Sequence, residues 1–223
     1  GAYRMGLEWS RLEPEEGKFS QAEIEHYRKV LQAAKQRNLK VVLTLWHWTN
    51  PLWFAARGGW TDRKAVEYFA RYVKLMAGEF GDLVDYWVTI NEPMIYLANG
   101  YLSAKFPPNK KNIFQARQVH NNLIKAHLAG YKIIHERFPE AKVGLNMLAN
   151  YFEPAHDWNP LEIIFARLAG YFWNDRFIKK LNGQYVDQKE LVDVNKSKTN
   201  KVLSETKNKE SVYKNLLADR IAK

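Results

Sequence analysis

Two places in this chain carry side chains suited to catalysis or sugar binding. The first is Asn91-Glu92-Pro93, at the end of the apolar run Asp85 to Ile90. Active sites of parallel α/β barrels gather at the C-terminal ends of strands, so Glu92 sits where a general acid/base works. Asn91 beside it can hydrogen-bond a ligand hydroxyl. Pro93 cannot donate to a ladder and marks the end of the strand. The triplet alone is short; its place after a buried strand in a Trp-rich chain gives it weight. The second place is Trp46-His47-Trp48, which closes the run Lys40 to Trp46. An imidazole between two indoles can donate to a hydroxyl while a ring face packs on a sugar. The competing reading is a satisfied core histidine. Arg4 and Glu8 complete the set. They share one side of a strand with Gly6 and Ser10, and burying them is costly unless they are paired, so a structural ion-pair network is the alternative.

The elements that position these residues alternate. Tyr3 to Trp9 reads as a strand. Ser20 can cap a helix, with Glu23 at the capping-box position and Ile24, Tyr27, Leu31 and Ala34 on one face. Lys40 to Trp46 is β-branched and nearly all apolar, like a strand buried on both faces. Asp62 can cap a helix carrying Ala65, Phe69, Tyr72, Val73 and Met76. Strands over Asp85–Ile90 and Ala141–Leu148, and helices over Ile113–Phe138 and Leu161–Leu181, complete the pattern. The order predicts a parallel α/β sheet with right-handed crossovers, in which both sheet faces are covered. No Gly-x-Gly-x-x-Gly follows a strand, which disfavours a dinucleotide fold. About four βα units fit, half of a (β/α)8 TIM barrel. From residue 187 to 223 the chain turns Lys- and Asn-rich, with Tyr213 its sole aromatic, and reads as a polar tail, helical or disordered.

Composition excludes several classes. Zero Cys removes disulfide scaffolds, thiolate zinc sites and Cys nucleophiles. No apolar run is long enough to span a bilayer, and the first residues do not resemble a signal peptide, so a cytoplasmic protein is expected. The net charge of +10 invites nucleic acid. The basic residues are interleaved with acids, however, and a phosphate-tracking groove needs clustered charge. Eight Trp in 223 residues suit either sugar stacking or a large aromatic core.

Five segments together resemble glycoside hydrolase family 1, the retaining β-glycosidases that include β-glucosidases. They are Tyr3–Leu12 (YRMGLEWSRL), Leu45–Trp53 (LWHWTNPLW), Gly58-Gly59-Trp60, Trp87–Pro93 (WVTINEP) and Tyr171–Asp175 (YFWND). They occur in the family's order, over about residues 1–186. The resemblance implies that Glu92 is the acid/base and that Asn91 binds the 2-hydroxyl. It implies that His47 hydrogen-bonds the nonreducing sugar, Trp48 stands behind the sugar pocket, and Arg4 lies against the catalytic nucleophile. Gly6 stands where Ser is common. The partner implied is a β-linked glucoside or galactoside, with no cofactor and no metal, no nucleic acid and no membrane.

The family's first strand is expected before residue 1. Its second half, with the nucleophilic Glu, is expected after residue 186. Residues 1–186 then hold strands two to five of the barrel, with no nucleophile in this chain. Retaining hydrolysis uses two carboxyls about 5–5.5 Å apart. Glu8 and Glu153 are the available substitutes, and neither is well placed. The expectation is negligible hydrolysis by this chain alone. The alternatives are a non-catalytic half-barrel that pairs with itself or a complementary C-terminal half, an engineered scaffold, or a sugar-binding remnant using His47, Trp48 and Asn91.

Overall fold

The computed structural model describes residues 1–183. The chain divides into a unit Gly1–Phe177 and a second unit Ile178–Lys223, of which residues 178–183 are described and helical. The expected polar tail over 187–223 lies outside the described residues.

Four strands form one parallel sheet in the order β1-β2-β3-β4. In chain order the elements are β1 (Ala2–Gly6), α1 (Trp9–Leu12), α2 (Gln21–Gln36), β2 (Lys40–Trp46), α3 (Leu52–Ala56), α4 (Ala65–Phe80), β3 (Tyr86–Asn91), α5 (Pro93–Leu97), α6 (Ile113–Arg137), β4 (Lys142–Asn146) and α7 (Pro160–Gly170). A 3-10 turn covers Gly59–Thr61, and π turns cover Ala98–Leu102 and Tyr171–Asp175. The half-barrel expectation of four βα units is met. Among the described residues no helix is long and apolar enough to cross a membrane.

The sheet shows why these residues form these elements. Val41, Leu43 and Leu45 alternate along β2 and are fully buried. Leu43 is in register with Trp87 of β3, and Thr89, next on that side of β3, packs its methyl against Gly130 of α6. The odd-numbered residues of β2 and β3 therefore face the helices. Thr44, in register with Gly6 and Val88, faces the opposite, inner side. Thr89 Oγ1 lies 2.7 Å from His127 Nδ1 and 3.3 Å from the Gly144 carbonyl oxygen, so one hydroxyl ties α6, β3 and β4 together.

Helix α2 starts as expected. The Ser20 side chain accepts from the Glu23 N–H, and the buried residues are Ile24, Tyr27, Leu31 and Ala34. Its sister expectation fails. Asp62 accepts from the Lys64 N–H at 2.6 Å and shapes the turn before α4, whose N-cap is Lys64 with no side-chain cap bond. The first strand stops at Gly6, because Leu7 and Trp9 turn into the core and α1 begins at Trp9. The β1 strand is also exposed along most of its length, as an edge strand among the described residues. The expected helix over Leu161–Leu181 is helical throughout and widens into a π turn at Tyr171–Asp175.

The core behind β1 and β2 is aromatic. Trp9 stacks on Tyr72 at 5.0 Å and lies 4.9 Å from Phe54. Trp9, Trp46, Trp60 and Trp87 are all buried, so half of the tryptophans serve packing. Each buried ring of this size contributes about 2–3 kcal/mol from area removed from water. Glu13 is fully buried inside this cluster. It accepts from Trp9 Nε1 at 2.7 Å and from the Gly17 N–H at 2.8 Å, and pairs with Arg71. A buried carboxylate is tolerable only with partners of this kind.

Candidate active site

The end of β3 is held from three sides. Between Val88 and Asn91 the register against β4 slips by one residue: Val88 pairs with Gly144, and Asn91 pairs with Asn146. Strict alternation sends Asn91 to the helix side with Trp87 and Thr89. The extra residue, a β-bulge, turns it to the inner side instead. There Arg4 Nη2 donates to Asn91 Oδ1, and Arg4 Nε donates to Thr44 Oγ1 at 3.2 Å. One terminal atom of the Asn146 carboxamide lies 2.8 Å from Asn91 Oδ1 and 3.1 Å from Arg4 Nη1. As nitrogen it donates to Asn91; as oxygen it accepts from Arg4. Trp48 Nε1 donates to the Asn91 carbonyl at 2.9 Å, and the Glu92 N–H donates to the Asn146 carbonyl at 2.7 Å.

Two non-glycine residues at these strand ends have left-handed backbones, Trp48 at φ 76° and Glu92 at φ 41°. Such conformations cost on the order of 1–2 kcal/mol for a residue with a Cβ. They lie at the strand-to-loop corners, where the backbone turns out of the ladder. At Glu92 the turn leads directly into α5, with Pro93 in its first turn. Pro93 thus ends one element and begins the next.

His47 is exposed, which rules out the core-histidine reading. Partial burial of its ring, and then the Arg4 guanidinium, lower its pKa, while Glu92 and Glu8 pull it upward. His47 therefore senses the charge of all three groups. The structural ion-pair reading of Arg4 and Glu8 does not hold as stated. Arg4 spends its donors on Thr44 and Asn91, while Glu8 Oε1 accepts from the Ser10 and Thr49 hydroxyls at 2.9 and 2.6 Å. Glu153 is exposed in the segment after β4.

Beside this cluster lies a cavity of about 1260 Å³, walled by Glu8, Trp48, Thr49, Tyr96, Tyr101 and Phe106 among others. It shares Glu8 and Trp48 with the strand-end cluster; Glu92, His47 and Asn91 are not part of its wall. Burial raises the pKa of the Tyr101 and Tyr96 phenols, so both stay neutral. Among the described residues no group of three or more His, Asp and Glu side chains is arranged to hold a metal ion.

Sequence reasoning brought Arg4, His47, Trp48, Asn91 and Glu92 to one end of the sheet, and the structure gathers them there. It missed Thr44 and Asn146, which hold Arg4 and Asn91 in place, and Thr49, which holds Glu8. Asn146 carried a usable signal: a carboxamide at the last position of a strand that neighbours Asn91.

Comparison with known proteins identifies the family and the fold. A 1,4-β-D-glucan glucohydrolase of Thermotoga neapolitana is 32% identical over 157 residues, 70% of this chain and 37% of that protein. The β-glycosidase from Pyrococcus horikoshii superposes with a TM-score of 0.76 at 34% identity, over 80% of this chain and 41% of that one. The β-glucosidase from Thermotoga maritima, solved in complex with deoxynojirimycin, gives 0.73 at 29% identity, over 77% and 38%. The chain thus spans about two fifths of the length of these relatives. The family model described as Glycosyl hydrolase family 1 matches residues 1–218, and the chain belongs to that family.

Proposed function

We propose that this chain carries the acid/base half of a retaining β-glycosidase active site. Glu92 protonates the glycosidic oxygen as a carboxylate nucleophile attacks the anomeric carbon, then takes a proton from the water that releases the sugar. Asn91 holds the 2-hydroxyl, His47 hydrogen-bonds the nonreducing sugar, and Trp48 backs the pocket. Arg4 stands where it meets the nucleophile. On this reading the nucleophile is supplied from outside residues 1–183: Glu8 Oε1 is engaged by two hydroxyls, and Glu153 is exposed in the segment after β4. The substrate class is a β-linked glucoside or galactoside. The partner is a polypeptide that contributes the remaining strands and the second carboxylate.

The observation that carries this reading is the set of bonds from Arg4, Asn146 and Trp48 onto Asn91, which fixes the Asn91–Glu92 corner. Catalysis depends on such fixed geometry. The test is release of p-nitrophenol from the β-glucoside, with glucoside binding followed by Trp fluorescence. The purified chain is expected to bind and not to turn over, and His47→Ala and Asn91→Ala are expected to abolish binding. Turnover that Glu92→Gln abolishes would show that a nucleophile is present after all. A chain that neither binds nor responds to these substitutions would remove the sugar-site reading.

A further inference from the structure

The corner that follows β2 has no ladder of its own. Among the described residues, no backbone–backbone hydrogen bond reaches Trp48, Thr49 or Asn50. Trp48 nonetheless keeps a left-handed backbone there, and such a conformation persists only where its surroundings impose it. Side chains do the holding. Trp46 Nε1 donates to Asn50 Oδ1 at 3.0 Å, and Asn50 Nδ2 donates to the Tyr96 hydroxyl of α5 at 3.2 Å. Trp48 Nε1 donates to the Asn91 carbonyl at 2.9 Å. These bonds pull from β2 itself and from the β3 side. From the β1 side the Thr49 hydroxyl donates to Glu8 Oε1 at 2.6 Å.

Glu8 is anchored well enough to serve as a fixed point. Its neighbours Leu7 and Trp9 are buried. Its N–H donates to the Tyr27 hydroxyl of α2 at 3.1 Å, and its carbonyl accepts from the Arg11 and Leu12 N–H groups. The Ser10 hydroxyl donates to the same Oε1 at 2.9 Å, so the carboxylate is steadied from its own loop before it meets Thr49. A carboxylate is also the stronger kind of acceptor. On the far side of Thr49, the His47 ring packs edge-on against Trp48, with centroids 5.1 Å apart and planes at 88°. The orientation of His47 therefore follows that of Trp48.

We propose that Glu8 is a positioning residue of the sugar site: its bond to Thr49 fixes the corner from which His47 and Trp48 meet the ligand. The inference rests on the sugar-site reading and adds to that site a member from the loop after β1. Glu8 touches no sugar in this role. The corner uses an oxygen at a fixed place, which Gln supplies and Ala does not.

The test compares Glu8→Ala, Glu8→Gln, Thr49→Val and the double variant Glu8→Ala/Thr49→Val in the full chain. Thr49→Val keeps the shape of an exposed side chain and removes the hydroxyl, so it reports on the bond even where Glu8→Ala unfolds. Two readouts are taken. One is binding of p-nitrophenyl β-glucoside by Trp fluorescence. The other needs no ligand: hydrogen exchange of the Trp48 indole N–H in 15N-labelled chain, assigned by its loss in Trp48→Phe. Glu8→Ala and Thr49→Val are each expected to weaken binding and to speed the exchange by about 10-fold or more. The double variant is expected to lose no more than the worse single one. Glu8→Gln is expected to stay within about 3-fold of the wild type. A wild type that binds no glucoside removes the sugar-site reading and this inference with it. In a wild type that binds, unchanged exchange in Thr49→Val overturns the inference alone, as does a Glu8→Gln chain as impaired as Glu8→Ala or a double variant whose losses add.

Discussion

His127 gives the clearest quantitative test of the packing beneath β3. It is 4% exposed on α6, and burial lowers its pKa from the ordinary 6.5 to about 4. The unfolded chain therefore takes up this proton near pH 6.5, while the folded chain resists until about pH 4. Stability is unaffected above pH 6.5 and falls as the pH drops through the window between the two values. The linkage relation gives a loss of about 2 kcal/mol at pH 5 and about 3 kcal/mol at pH 4, levelling below that. The measurement is urea denaturation of the wild type and His127→Gln at half-unit steps from pH 7.5 to 4. Gln can donate to or accept from the Thr89 hydroxyl and does not titrate. Its unfolding free energy is expected to be lower at neutral pH and flatter across the window, so the two curves converge as the pH falls. Parallel curves would refute the reasoning, because they would mean that His127 is protonated as easily folded as unfolded.

Other perturbations separate the remaining claims. Glu13→Ala strands Trp9 Nε1 in the aromatic core, releases the exposed Gly17 N–H and removes the partner of Arg71, and is expected to cost about 3 kcal/mol by thermal or urea unfolding. Gly81→Ala drives a Cβ into the Phe138 ring. It is expected to cost about 1–3 kcal/mol alone, with much of that cost absent when added to Phe138→Ala, so a double-mutant cycle reads the clash directly. Ser20→Ala removes a true cap and is expected to cost about 1 kcal/mol, whereas Asp62→Ala, which loses a turn contact before α4, costs less; denaturation midpoints of the pair decide this. Acidification below pH 3.8 weakens the tie of Asp85 to β2. Burial raises this carboxyl, but Lys35, the Val41 N–H and Lys40 outweigh it and hold the pKa to about 2, so this stabilisation is lost as pH falls from 3.8 toward 2, below the His127 window, and Asp85→Asn is expected to flatten the curve there.

Much of the fold was legible because period and caps agreed. The run Lys40–Trp46 is a strand to the residue, and Ser20 with Glu23 fixed the start of α2. The site was legible as positions and not as contacts. Asn91 and Glu92 announce themselves at a strand end, but alternation alone sends Asn91 to the wrong side of the sheet. The bulge that corrects it is a relation between two strands, and a single run of residues does not encode it. Asp62 misled for a related reason. Its carboxylate satisfies the nearest free N–H, at Lys64, and that N–H belongs to a turn that the tertiary packing of Trp60 places ahead of the helix. Trp48 was anticipated as an aromatic wall. That its indole N–H grips the Asn91 backbone follows from its φ of 76°, which no propensity predicts.

The left-handed backbone at Glu92 carries an evolutionary consequence. At φ 41° and ψ 62° glycine and asparagine are the comfortable occupants. Drift toward stability alone would replace the glutamate at this corner, and the bonds from Asn146, Trp48 and Arg4 would still hold the corner in shape afterwards. Replacement of Glu92 would then leave a chain that folds as well or better without the proposed acid/base. Under that proposed role a glutamate at this corner is kept for chemistry, while its neighbours Asn91 and Asn146 answer to architecture as well.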